Sequence, residues 1–302
     1  MAWKGLHLSR PSRLSTADGQ IVVAQDDGEV RVALEDVAYI IIDTTQATLT
    51  ATLLSACMEV GVAILVTDAR HMPSGLLLSF HVHHRQAGVA ALQTGVGEPF
   101  RKRCWRNIVV AKIDNQAAHL ERRERAEASA LRTMGGRVGS GDPDNIEARA
   151  ARAYWGALFD GFVRDDPADL RNKLLNYGYA VMRAAVARAL VAYGCLPAFG
   201  LHHASVTNAF NLADDFLEPF RPFVDALAAE RADGRAASDE MTVEDRRAMA
   251  GVLSREARLT GEALTLLAAS EKTAESYVRA MEGASAALLR LPEMVRSAEH
   301  GS

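Results

Sequence analysis

The chain has 302 residues, 49% of them hydrophobic and 24% charged, an ordinary globular composition long enough for a sizeable core and two domains. It holds no apolar run of about 18 residues that could span a membrane, and its start, MAWKGLHLSRPS, lacks the apolar stretch of a signal peptide. The net charge of −4 argues mildly against nucleic acid as a partner, yet the charge is segregated: basic residues cluster at 101–106 and 122–125, acidic ones at 233–245. Cys57, Cys104 and Cys195 are widely spaced and form no CxxC pair, so they read as reduced thiols of a cytoplasmic protein.

Residues 1–75 read as a β-rich domain with one helix. IVV at 21–23 and VRVAL at 30–34 are short strands separated by the turn Asp26-Asp27-Gly28, and Asp18-Gly19 marks an earlier turn. AYIIID at 38–43 is a continuous apolar run, expected at the centre of a sheet. The spacing over 47–61 predicts a helix capped by Gly61, after which VAILVTDA returns to strand. Residues 76–99 are rich in Gly and Pro and read as a linker. His81, His83 and His84 lie in or beside it with no carboxylate or cysteine nearby to complete a metal site.

From Phe100 the chain reads as helical to about 295, a larger all-α domain, so that the fold class is α+β. Trp105, Val109, Ile113, Ala117 and Leu120 form one apolar stripe. Arg101, Lys102, Arg103 and Arg106 open that helix, either as a solvated face or as phosphate contacts. GGRVGSGDP at 135–143 reads as a mobile loop, and its GxG pair follows no strand, so it is not a dinucleotide fingerprint. A long Ala-rich helix from Pro167 to about Gly194, roughly 40 Å, is expected at the centre of the domain. After a polar, acidic segment at 230–246, two or three amphipathic helices reach about Arg290, and 296–302 reads as a tail.

The densest chemistry lies in LHHASVTNAFNLADDFLEPFRP, residues 201–222. Imidazole and carboxylate groups both bind divalent metals, and on a helix Asp215 and Glu218, or Asp214 and Glu218, share a face. Spacing alone leaves open a solvated helix face with His202 and His203 capping a turn. Glu147 is likewise ambiguous: with Asp144 it fits a capping box, and beside Ala150, Ala151 and Tyr154 it fits a site wall. No nucleophile elbow or phosphate-binding loop is present.

Three stretches carry a family resemblance: EARAARAYW from Glu147, LLNYGYA from Leu174, and GLHH at 200–203 followed by NLADDFLEPFRP at 211–222. Together they resemble the CRISPR-associated integrase of spacer acquisition, in its type II branch. The resemblance implies a metal-dependent DNA endonuclease and integrase with an N-terminal β-domain and a C-terminal helical domain. It places the metal ligands on Glu147, His203 and Glu218, adds Asp215 as a further catalytic acid, and assigns no role to His202 or Asp214. Mg²⁺ or Mn²⁺ suits such an oxygen-rich set. The reaction implied is direct transesterification of a prespacer duplex into a CRISPR repeat, with Arg221 and Arg101, Lys102, Arg103 and Arg106 as candidate DNA contacts. Implied partners are double-stranded DNA, a second copy of the chain and a small ferredoxin-like protein in a hetero-hexamer, with other type II adaptation proteins.

Overall fold

The computed structural model describes residues 3–80 and 83–295; His81 and the expected tail at 296–302 lie outside these. The chain opens with β1 (Lys4–Leu8), followed by a meander of β2 (Ser12–Ala17), β3 (Gln20–Gln25) and β4 (Gly28–Ala33). Its first turn places Asp18 and Gly19 at φ 52° and 72°, the two positive values that a type I′ hairpin requires. Then come β5 (Val37–Ile42), β6 (Ala47–Leu49), α1 (Ala51–Val60), β7 (Ala63–Thr67) and β8 (Pro73–Leu77). They form two four-stranded sheets, ordered β1-β5-β7-β8 and β4-β3-β2-β6.

β5 sits between parallel neighbours β1 and β7, the central place its apolar run implies. Both of its faces are covered. Val37, Ile40 and Ile42 enter a core shared with the second sheet and α1, while Ala38 and Ile41 enter the core of the helical region. The helix expected over 47–61 is shorter, because Ala47–Leu49 pairs with β2 and Thr50 then caps α1 by accepting from Leu53 N at 3.3 Å.

The stretch 76–99, expected as a linker, is instead structured. Its first residues close β8 on the sheet edge, where a strand can start with Pro73, and α2 (Gln86–Gly95) buries Val89. Nothing lies within 4 Å of where a Cβ on Gly88 or Gly95 would stand. Glycine density there marks neither a turn nor a close approach, and composition overstated the break.

The helical region contains α3 (Glu98–Arg122), α4 (Ala128–Gly135), α5 (Ile146–Leu158), α6 (Leu170–Ala192), α7 (Asn211–Leu217), a 3-10 turn at Glu218–Phe220, α8 (Arg221–Ala232) and α9 (Val243–Ala250). It ends with a hairpin of β9 (Glu256–Leu259) and β10 (Glu262–Thr265), then α10 (Leu266–Glu282). The expected central helix is α6, which packs on α7, α8, α9, α10 and the first sheet. A Cβ on its Gly178 would stand 2.5 Å from Val224 Cγ1 and 2.6 Å from Met249 Cε, so α8 and α9 close on α6 as tightly as glycine allows. The hairpin departs from the expected run of helices: its short strands, EARL and EALT, hold mostly helix-forming residues, and the turn at Thr260-Gly261, with φ 54° and 85°, decides against helix.

A buried charge ties the two regions. Asp43, just after β5 and 0% exposed, accepts from Arg246 Nε of α9 at 2.7 Å and lies 2.8 Å from His71 Nδ1 and 3.1 Å from His7 Nε2. Burial opposes its ionisation, but hydrogen bonds from His7, Arg246 and His71 outweigh this and hold the carboxyl below its ordinary range.

Candidate active site

α6 ends at Ala192 with Tyr193 as its C-cap, and Gly194 at φ 82° turns the chain into the loop carrying His202 and His203. This loop folds back over α7 at Gly200, where a Cβ would stand 2.2 Å from His203 O and 2.7 Å from Asp215 Oδ2. Asp215, fully buried in α7, gathers the loop: it accepts from the backbone N–H groups of Leu201 (2.6 Å), His202 (3.2 Å) and His203 (3.1 Å), and lies 2.7 Å from His203 Nδ1. That last bond, helped by the charges of Asp215 and Glu218 and opposed by burial, raises the His203 pKa above its ordinary value. Trp105 of α3 backs both imidazoles, stacked flat on His202 at 4.1 Å between centroids and edge-on to His203 at 5.8 Å. Asp215 therefore acts as the clamp on His203. Asp214 pairs with Arg183 at 2.7 Å on the other side.

Glu147 lies in the first turn of α5, but the capping box with Asp144 does not form. Asn145 is the N-cap at φ 50°, without a side-chain cap, and the N–H groups of Ile146 and Glu147 donate to Asp142, both at 2.9 Å. Asp142 thereby also ties down the 135–143 loop, and Gly141 N donates to Lys102 O at 3.0 Å. Released from capping, Glu147 pairs with Lys112 Nζ of α3, in a side chain only 9% exposed. Glu218 Oε2 meets the same ammonium at 2.5 Å, and Oε1 accepts from Arg221 Nε at 2.9 Å. Burial pushes the Glu218 carboxyl up, yet Arg221 and Lys112 prevail and hold it at about 2. Two carboxylates from separate elements thus share one cation.

The donor chemistry fits a divalent metal ion. The carboxylate pair already gathers one positive charge, and His203, with Nδ1 held by Asp215, could offer Nε2 to an ion. Among the described residues, no three His, Cys, Asp or Glu side chains are grouped around one ion position; Glu147 and Glu218 meet at Lys112, and His203 is near enough to Glu218 for their charges to interact.

A family profile, CRISPR associated protein Cas1, matches residues 6–261. The chain belongs to the Cas1 family. The CRISPR-associated endonuclease Cas1 of Neisseria meningitidis serogroup C (strain 8013) is 38% identical over 302 residues, 99% of each chain. A solved casposase bound to integration product matches with a TM-score of 0.75 at 17% identity, over 94% of this chain and 92% of that one. A chain of a Cas6-RT-Cas1--Cas2 complex matches at 0.76 and 19%, covering 97% of this chain and 36% of that longer one. The order of β-rich and helical regions is as the sequence suggested.

The candidate DNA contacts of this Cas1 family member separate in the structure. A groove of about 680 Å³ opens beside His203, and Arg101 lines it together with Phe199, Val206 and Asn208. Lys102 pairs with Glu98 at 2.7 Å, Arg106 donates to Val138 O at 2.8 Å, and Arg103 is exposed. Arg221 is turned inward, its guanidinium 4.5 Å from the Tyr179 ring centre, and supports Glu218. Lys112 was not foreseen. Its signal was present: seven residues after Trp105 and three after Val109, it shares their buried face, where polar Asn115, Gln116 and His119 continue the row.

Proposed function

We propose that this Cas1 protein is a divalent-metal-dependent DNA endonuclease and integrase that inserts spacer DNA into a CRISPR array. The observation that carries this reading is the convergence of Glu147 and Glu218 on one cation, with His203, clamped by Asp215, within electrostatic reach of Glu218. Glu147, Glu218 and His203 would hold Mg²⁺ or Mn²⁺, which when bound polarises the phosphodiester as a Lewis acid. Asp215 fixes the tautomer and direction of His203, and Arg221 keeps Glu218 ionised at neutral pH. The transfer is direct. A 3′-OH of the incoming duplex bonds to phosphorus as the bond to the departing strand breaks, and the protein donates no nucleophile. In keeping with this, the three cysteines are buried, with thiols pushed up by burial to about 11 at Cys57 and about 12 at Cys104 and Cys195.

The partners follow from the family. Double-stranded prespacer and repeat DNA, a homodimer and a small ferredoxin-like Cas2 partner in a hetero-hexamer suit a net acidic chain, which needs only one basic face in an assembly. A chain of a solved Cas6-RT-Cas1--Cas2 complex shares this fold, which is in keeping with a Cas2 partner. Binding weakens steeply with salt if phosphate contacts dominate. No helix among the described residues is long and apolar enough to cross a membrane, and free cysteines are in keeping with a cytoplasmic setting.

Glu147→Ala and His203→Ala are each expected to abolish metal-dependent strand transfer from a labelled prespacer into repeat DNA while the circular dichroism spectrum stays native. Full activity in either variant would overturn the site.

A further inference from the structure

Glu218, buried, and Glu147, 27% exposed in its side chain, repel each other unless a cation stands between them, and leaving the buried one unpaired is costly. The cation present is the Lys112 ammonium, and an ion bound by both carboxylates would need the place it occupies. We propose that Lys112 is a tethered counter-ion with two berths: it holds the carboxylate slot until a divalent metal arrives, then withdraws into an adjoining cavity toward Gln116 and Asp225. This rests on the reading of Glu147 and Glu218 as metal ligands.

The second berth is built. A cavity of about 100 Å³ touches Lys112 and is lined also by Gln116, Arg164, Tyr179, Glu218, Arg221 and Asp225. That exceeds the roughly 30 Å³ that one water takes up in the liquid, a fair measure of an ammonium group. Gln116 stands one helical turn beyond Lys112 on α3, is 2% exposed, and its Oε1 has no hydrogen-bond partner. A buried acceptor without a donor is rare and costly, so this oxygen marks where a donor goes. Asp225, 1% exposed, supplies a carboxyl group on the same cavity, which burial pushes up to about 7 and an arriving ammonium would favour as the anion; Tyr154 and Tyr179 each donate to one of its oxygens, which leaves further acceptor capacity. A swing of the flexible lysine stem carries the charge from one carboxylate environment to the other.

The test is Mn²⁺ titration of the DNA-free protein, read by electron paramagnetic resonance, on wild type, Lys112→Met, Gln116→Leu and the double variant. If the ammonium fills the slot most of the time, its removal tightens Mn²⁺ binding about tenfold or more, because apparent affinity scales with the competent fraction. Gln116→Leu weakens binding several-fold in the wild-type background and has no effect beside Lys112→Met. Binding by Lys112→Met no tighter than wild type, or a Gln116→Leu effect that survives in the double variant, overturns the proposal. Lys112→Gln, run alongside, keeps a neutral donor in the slot should the methionine variant fold poorly, and is also expected to bind Mn²⁺ more tightly than wild type. Glu147→Gln separates the two readings: if it binds Mn²⁺ like wild type, the metal site and with it the proposal fail. If it loses the ion while Lys112→Met is unchanged, only the role of Lys112 fails.

Discussion

Asp215 accepts four hydrogen bonds, three from consecutive backbone amides and one from the imidazole of His203. Replacing it with Asn turns one acceptor oxygen into a donor facing other donors. Asp215→Asn is therefore expected to lower strand transfer about 100-fold, the upper end for loss of an orienting partner, with the helical signal intact. Wild-type rates would mean that His203 does not depend on this clamp. The sequence brought Asp215 and Glu218 to one short stretch and supplied Glu147 through the family motifs. Spacing alone does not separate their duties, which only the resemblance divides into ligands and a further acid, because a carboxylate that accepts amides and one that meets a cation are the same residue type at the same spacing. Lys112 was hidden for another reason. The apolar stripe of α3 was read from its hydrophobic members alone, and the polar residues sharing that face carry the partners of the site.

At the scale of elements, the return of the loop onto α7 depends on Gly200, since its Cβ position collides with the carbonyl of His203 and with Asp215. Gly200→Ala is expected to cost about 1–3 kcal/mol, the usual penalty of overpacking, and to displace His203 as well. Urea unfolding would measure the first effect and strand transfer the second. An alanine variant with unchanged stability would show that the loop yields freely. Elements with strong periodicity were legible: α3, α6 and the turns of the first meander stand where the sequence put them. β6, α2 and the β9–β10 hairpin were not. Three residues of β6 precede a helix with no composition change, α2 hides among glycines, and helix-forming residues fill the hairpin, where pairing outweighs propensity.

At the scale of the whole molecule, Asp43 joins β5 to α9, with His7, His71 and Arg246 around it and Tyr177 OH 3.3 Å from His7 Nε2. Because its folded pKa is depressed, the stability it contributes is present above the ordinary carboxylate value of about 3.9 and is lost as pH falls below it. Asp43→Asn strands the buried Arg246 guanidinium and is expected to cost about 3 kcal/mol or more at neutral pH. It should also flatten the dependence of stability on pH below about 4, where the wild type loses this contribution. Equal urea midpoints for variant and wild type at pH 7 would show that the node adds nothing. The double covering of β5 reaches further. A fragment ending after β8 would present Ala38, Ile41 and Leu65 to water as one apolar sheet face, and the severed helical piece would present the surface that had covered them. Each piece is a wall of the other's interior, although the two regions look separable by their secondary structure.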